Sequence, residues 1–143
     1  MKTIYKEVVG KLSIDEGMDI ICEPQKVVVG KGYRSTDVRY PFITNLGEKC
    51  SIKVSTTRLR LFKRNGIMCA KCGIEGKYFL IEKNEPTAIS PHLNLYAINE
   101  EGNEVLMTQD HIKPKSKGGK NHPQNLQVMC CNCNHKKGAT YAE

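Results

Sequence analysis

The chain has 143 residues, which is enough for one domain or for one small domain with an appendage. Its hydrophobic content of 39% and charged content of 26% are ordinary for a soluble globular protein, and no stretch approaches the ~20 apolar residues of a membrane span. The 22 Lys and Arg against 15 Asp and Glu give a net charge of +7, which favours polyanionic partners, although a basic protein without such a partner fits the charge as well.

The first residues, MKTIYKEVVGKLS, contain no apolar run long enough for a signal peptide. We therefore expect a cytoplasmic protein with no membrane partner. A reducing cytosol would keep the seven Cys as thiols or thiolates. Nothing in the sequence indicates the oligomeric state.

Residues 1–56 are predicted to be rich in β-structure. Apolar runs predict strands at residues 4–9 and 27–29, and further strands at 40–44 and 50–55 flank a turn signal at residues 45–47. This region shows no group of residues with a recognisable chemistry, and its role is not indicated.

A short helix is predicted over Thr57–Asn65, with Thr56 or Thr57 as its cap and Gly66 at its end. One face of this helix is basic, and it carries Arg58, Arg60, Lys63 and Arg64. A solvated charged surface is the alternative to a contact with a polyanion.

Two Cys-x-x-Cys pairs, Cys69 with Cys72 and Cys130 with Cys133, predict a structural zinc site. Four thiolates satisfy the tetrahedral preference of Zn²⁺ and leave no open position. A redox dithiol would need a thioredoxin-like βαβ context, which the sequence lacks. The pairs are separated by an insertion at residues 73–108, in which strands at 93–98 and 105–108 around a turn at 99–103 predict a β-hairpin.

Residues 109–138 are predicted to run as strand end, loop, strand and helix. A set of separate elements follows in order, namely Asp110-His111, Pro114, Gly118-Gly119, Asn125-Leu126 and Cys130-x-x-Cys133-Asn134. This order strongly resembles the HNH endonucleases, whose ββα-metal motif has D-H-x-x-P, G-G, N-L and then C-x-x-C followed by H or N. The resemblance covers residues 69–72 and 109–138, whereas residues 1–60 resemble no family.

The resemblance implies a role for each of these residues. His111 matches the general base, which is a suitable task for an imidazole at neutral pH. Asp110 and Asn134 match the protein ligands of one catalytic divalent ion, Mg²⁺ or Mn²⁺. Asn125 matches the asparagine that gives the HNH family the middle letter of its name, and it is expected to hold the His111 loop by hydrogen bonds. His135 directly follows Asn134 and is the alternative ligand.

The fold predicted as a whole is α+β, with a small zinc-stapled ββα-metal core, a β-rich N-terminal extension at residues 1–56 and a β-hairpin insertion within a nuclease domain at 57–143. The resemblance implies a metal-dependent endonuclease that nicks double-stranded DNA and leaves 5′-phosphate and 3′-hydroxyl ends. It also suggests a phage or bacterial source, and hence the host-cell cytoplasm. The alternative is a non-catalytic zinc module that binds nucleic acid or protein, and an RNA nuclease ranks third.

Cations on the helix, the loop and the C-terminal end are predicted to contact the nucleic-acid backbone. Besides the four residues of the basic helix, this set comprises Lys115, Lys117, Lys120, His122, Lys136 and Lys137.

Overall fold

The computed structural model describes residues 6–84 and 90–140. Across these residues the chain forms three α-helices and nine β-strands, and it divides into two compact units. Unit 1 consists of Met1–Arg60 and Tyr78–Asn94, and unit 2 consists of Leu61–Lys77 and Leu95–Glu143. The domain division predicted at residue 56 stays a prediction.

Unit 1 begins with β1 (Glu7–Ser13) and α1 (Ile14–Ile20). Residues 4 and 5 of the strand predicted at 4–9 lie outside the described residues. The sequence analysis missed α1, which starts with a capping box: Ser13 accepts from the Glu16 N–H, and the Glu16 carboxylate accepts from the Ser13 N–H. β6 (Gly76–Lys83) runs antiparallel to β1.

Two antiparallel hairpins follow in unit 1. The first joins β2 (Gln25–Val29) to β3 (Gly32–Thr36), and the second joins β4 (Arg39–Ile43) to β5 (Lys49–Lys53). The prediction of strands on both sides of a turn at 45–47 is confirmed for β4 and β5, where Ile52 is fully buried. β3 was not predicted, because it has only one large apolar residue.

Helix α2 (Thr57–Asn65) has the predicted bounds. Its buried side chains are Leu59, Leu61 and Phe62. The Gly66 N–H closes the helix on the Phe62 carbonyl at 2.9 Å, and the positive φ of Gly66, 96°, suits a residue without a side chain.

Unit 2 is organised around β8 (Glu104–His111), which lies between two antiparallel neighbours. β7 (His92–Ile98) pairs with β8 across the turn predicted at 99–103, which confirms that hairpin. β9 (Leu126–Cys130) pairs with the other edge of β8, and α3 (Cys131–Lys137) follows at once. The predicted order of strand, loop, strand and helix is therefore present. No helix in the described part of the chain has both the length and the apolar character needed to cross a bilayer.

Candidate active site

The four predicted ligand cysteines form one cluster, called here the cysteine cluster: Cys69, Cys72, Cys130 and Cys133. Their sulfur atoms all lie within 4.8 Å of one another, and the sulfurs of Cys72 and Cys130 are 3.8 Å apart. A tetrahedral zinc site with Zn–S bonds of about 2.3 Å has sulfur–sulfur edges of about 3.8 Å. The cluster therefore has the ligand type, number and spacing that Zn²⁺ requires.

Backbone hydrogen bonds explain why two pairs so distant in sequence meet. The first pair lies in a tight turn in which Gly73 donates to the Cys69 carbonyl at 3.0 Å. The Ala70 N–H at the tip of this turn donates to the carbonyl of Val128 in β9 at 2.8 Å. Cys130 ends that strand and is the N-cap of α3. The turn is thus attached beside the strand that carries the second pair.

The protein environment favours a thiolate at one of these sulfurs. Burial acts to raise the pKa of Cys69, but N–H donors outweigh it, among them that of Cys72 at 3.5 Å from the sulfur, and the pKa falls to about 6. Burial raises the pKa of Cys130, and burial together with hydrogen bonds to the neighbouring sulfurs raises that of Cys133 to about 12. A metal ion bound by all four thiolates would therefore displace protons from Cys130 and Cys133, so the metal affinity of the cluster would rise with pH.

A pocket of about 270 Å³ lies at the end of β8 and is called here the Asp110 pocket. Three of the four residues predicted to be catalytic, Asp110, His111 and Asn134, line it together. The rest of its lining is Gln109, Pro114, Lys115, Gly138 and Ala139. His135 is exposed and does not belong to this lining, so Asn134 is the better placed of the two alternative ligands.

Asp110 is a buried carboxylate with two partners. Its Oδ2 accepts from the Gln127 side-chain amide at 2.9 Å and pairs with the Lys137 ammonium at 3.1 Å. Lys137 also donates to the His111 carbonyl at 2.9 Å, whereas its distance to Asp110 Oδ1 is 3.4 Å. Lys137 was predicted to contact nucleic acid, but in the structure its ammonium group pairs with the Asp110 carboxylate. Oδ1 is the carboxylate oxygen with capacity for another cation.

The side-chain amide of Asn134 is held in one orientation. The Thr108 hydroxyl donates to the Met129 carbonyl at 2.7 Å, so it accepts from Asn134 Nδ2 at 2.9 Å. Nδ2 also donates to the Gln109 carbonyl at 3.3 Å. Both contacts use the amide nitrogen, which leaves Oδ1 as the atom available for a cation.

The imidazole of His111 contacts a residue that the sequence analysis missed. Its Nε2 lies 2.7 Å from Oδ1 of Asn121. A carbonyl oxygen only accepts, so Nε2 carries the proton and the neutral ring keeps its lone pair on Nδ1. The Asn121 contact thereby selects the tautomer in which Nδ1 can take a proton. A single Asn in a polar loop has no spacing signal that would have indicated this.

Asn125 ties together the loop that follows His111. Its Oδ1 accepts from the Lys113 N–H at 2.8 Å, and its Nδ2 donates to the carbonyls of Lys113 at 3.1 Å and Lys120 at 2.9 Å. The loop also passes so close to itself that a Cβ on Gly119 would lie 1.7 Å from the Lys113 carbonyl oxygen. Gly119 is therefore needed because a side chain at this position would clash with the backbone of Lys113.

The predicted nucleic-acid contacts differ in exposure. Arg58 and Arg60 are half-buried: Arg58 donates to the carbonyl of Leu93, and Arg60 pairs with Glu23 at 3.2 Å. His122 is exposed, and its Nδ1 caps a short 3-10 helix, Pro123–Asn125. The other exposed residues predicted to contact nucleic acid are Lys63, Arg64, Lys115, Lys117, Lys120 and Lys136.

No curated protein and no solved structure matches the chain. A family model described as HNH endonuclease matches residues 99–143, the part that contains the Asp110 pocket and the second Cys pair. The match leaves residues 1–98 without an assignment. Residues 99–143 of this chain are therefore similar to the HNH endonuclease family.

Proposed function

We propose that the protein is a metal-dependent endonuclease that hydrolyses phosphodiester bonds of double-stranded DNA, nicking one strand to leave 5′-phosphate and 3′-hydroxyl ends. One observation carries the proposal. A single pocket brings together a carboxylate, an imidazole and an oriented amide oxygen, and this pocket lies within the segment that matches the HNH family.

His111 is the general base in this proposal. Its Nδ1 takes a proton from water as the water attacks the phosphorus, while Nε2 keeps its hydrogen bond to Asn121. The Lys137 contact to the His111 carbonyl holds the backbone of the same residue. Asn121 thus selects the tautomer of the ring, and Lys137 holds the backbone to which the ring is attached.

Oδ1 of Asp110 and Oδ1 of Asn134 would hold the catalytic cation. Carboxylate and amide oxygens are hard ligands that suit Mg²⁺ or Mn²⁺, and two protein ligands leave room for water and a phosphate. When bound, such a cation neutralises charge on the phosphate and stabilises the departing oxygen. Lys137 supplies part of this positive charge permanently, because its ammonium stays next to the Asp110 carboxylate.

The cysteine cluster would hold zinc in a structural role. Asn134 immediately follows Cys133 in α3, so a cation bound by the four thiolates fixes the turn of helix from which the amide projects. The thiolates leave no open position for a substrate.

The second candidate is a non-catalytic zinc module that binds nucleic acid or protein. The ion pair between Asp110 and Lys137 favours it, because a carboxylate that is already neutralised can serve folding alone. The family match and the oriented oxygen of Asn134 favour the nuclease.

A plasmid-nicking assay separates the candidates. We expect the wild-type protein to convert supercoiled plasmid to open circle with Mg²⁺ or Mn²⁺ and to stop when EDTA is added. His111→Ala should lower the rate by roughly 10² to 10⁴. The matched control is His135→Ala, an exposed neighbour outside the pocket, which should cut like wild type.

Three outcomes would change the assignment. Undiminished nicking by His111→Ala would contradict the assignment of His111 as the general base. If the wild-type protein cut neither DNA nor RNA, the non-catalytic binding module would be the remaining candidate. Cleavage of RNA alone would make the protein an RNA nuclease. The ends are read by sealing the open circles with DNA ligase, which joins only 5′-phosphate to 3′-hydroxyl.

A further inference from the structure

The β2–β3 hairpin, called here the ribbon, is exposed along its whole length. Every residue of both strands is exposed, including large apolar side chains: Val28 is 68% exposed and Tyr33 75%. Its turn has Gly30 at φ 61° in the first central position, as in the II′ turns that match the twist of a two-stranded ribbon. The ribbon is therefore a regular structure with no buried face.

Both faces of the ribbon mix apolar and polar side chains. Residues opposite each other in the register share a face, so Val27 lies beside Arg34, and Val28 beside Tyr33. Gln25 and Thr36 continue the face of Arg34. A hairpin that served only to cover a core would have one apolar face. Neither face of the ribbon has that character.

The charge of the ribbon has one sign. Residues 25–36 include Lys26, Lys31 and Arg34 and contain no Asp or Glu. None of these three cations forms an ion pair or a side-chain hydrogen bond with the residues that the structure describes. By contrast, Lys53 of β5 pairs with Asp37 at 3.3 Å.

We infer that the ribbon binds in the major groove of duplex DNA, an inference that rests on the proposed function. The groove is about 12 Å wide and admits a two-stranded ribbon, whose strands lie ~4.8 Å apart. Lys26 and Lys31 meet the phosphates of the groove walls. Gln25 and Arg34 share one face, and these side-chain types bond the edges of adenine and guanine; Val27 between them suits a thymine methyl group.

The charge decides between this occupant and two others. A second copy of the chain would bring two sets of three cations together without a counter-charge. An anionic membrane would attract the cations, but it would not use the polar face of Gln25, Arg34 and Thr36, whose side chains suit hydrogen bonding in a groove.

The test is DNA binding by the full zinc-loaded chain, measured by fluorescence anisotropy of a labelled duplex in Mg²⁺-free buffer over a range of salt concentrations. The ribbon variant is Lys26→Gln, Lys31→Gln and Arg34→Gln. The matched control removes the same charge from the other hairpin of unit 1, by Arg39→Gln, Lys49→Gln and Lys53→Gln. Circular dichroism and zinc content verify that both fold.

We expect the ribbon variant to bind at least about tenfold more weakly than the control. The slope of log K against log salt should fall by about 0.9 for each phosphate that the variant no longer neutralises. Arg34→Gln alone should also change the distribution of nicks along a plasmid, because it removes a contact to a base, whereas Lys26→Gln should only weaken binding.

Equal binding and equal salt slopes for the two triple variants would overturn the inference while leaving the nuclease intact, provided that wild type binds and nicks. Absence of duplex binding by wild type would overturn both. In sedimentation, a wild-type dimer that becomes monomeric only in the ribbon variant would assign the ribbon to a second copy. Ribbon-dependent binding to vesicles of phosphatidylserine, with no effect on DNA affinity, would assign it to a membrane surface.

Discussion

The cysteine cluster and the Asp110 pocket both take residues from α3, namely Cys133 and Asn134, yet they suit different ions. The cluster offers four sulfurs within 4.8 Å of one another and no vacant direction. The pocket is lined by one carboxylate and one side-chain amide, each with an oxygen proposed as a ligand. Soft ligands in a closed tetrahedron favour structural zinc, whereas hard ligands in an open site favour Mg²⁺ or Mn²⁺.

The comparison also shows two ways of neutralising buried charge. Thiols can keep their protons until a metal displaces them, as the raised pKa of Cys133, about 12, indicates. Asp110 instead has a permanent partner in Lys137. The pocket should therefore keep its fold without the proposed catalytic cation, whereas the cluster should not keep its fold without the proposed zinc.

Zinc removal should have the largest effect. Cys130→Ser takes away one of four thiolates, and zinc binding to such sites is worth on the order of 10 kcal/mol, so we expect loss of bound zinc and of cooperative unfolding in unit 2. The control is Cys131→Ser, a neighbouring thiol outside the cluster. Metal analysis and thermal unfolding by circular dichroism measure both. Retention of one zinc per chain by Cys130→Ser would contradict the four-thiolate site.

Lys137→Met should destabilise the protein by up to about 3 kcal/mol, because it leaves the Asp110 carboxylate buried without its cation. The same change should raise the affinity for Mn²⁺, since the ion no longer shares Asp110 with an ammonium group. Chemical denaturation with and without Mn²⁺ measures the first effect, and Mn²⁺ titration measures the second. The control is Lys136→Met, which is exposed. Weaker Mn²⁺ binding by Lys137→Met would show that the lysine supports the ion.

Asn134→Ala and His135→Ala distinguish the two alternative ligands. Asn134 lines the pocket, and the hydrogen bond from its Nδ2 to Thr108 leaves Oδ1 as its proposed ligand atom, so its loss should weaken Mn²⁺ binding and nicking by at least about tenfold. The His135 variant should differ by less than about twofold because that side chain is outside the lining. Mn²⁺ titration followed by plasmid nicking measures both. The reverse order of effects would make His135 the ligand.

Asn121→Ala should lower the nicking rate by about tenfold without changing DNA affinity, because the His111 ring then lacks the hydrogen bond that selects its tautomer. Asn132→Ala is the control, since Asn132 is exposed and does not line the pocket. Single-turnover nicking and duplex binding separate the two parameters. A fall in binding with an unchanged rate would place Asn121 among the substrate contacts.

The elements that sequence analysis predicted well have local signals. The bounds of α2 follow from a possible Thr cap and Gly66, and the β7–β8 hairpin follows from two apolar runs around a turn. The meeting of the Cys pairs was predictable because zinc needs four ligands. Helix α1 was missed although Ser13 and Glu16 form a recognisable capping box, because the helix is only seven residues long and contains Gly17.

The contacts that complete the site were not predictable, because they depend on how the loop closes. Asn121 contacts His111 from within the loop that the Asn125 side chain ties at Lys113 and Lys120. Lys137 reaches Asp110 only once α3 lies along β8, and on a helix surface a lysine usually extends into solvent. The spacing of the motif identifies the candidate ligands and the candidate base, whereas the folded loop determines which of their atoms form hydrogen bonds.

The adjacency of Cys133 and Asn134 has a consequence for when the protein can act. Cys133, a member of the cysteine cluster, and Asn134, which lines the Asp110 pocket, are consecutive residues of one seven-residue helix. On the proposed function, a newly synthesised chain has no cutting activity until it acquires its first metal. On that function, chelation of the metal or oxidation of the thiolates should abolish cleavage.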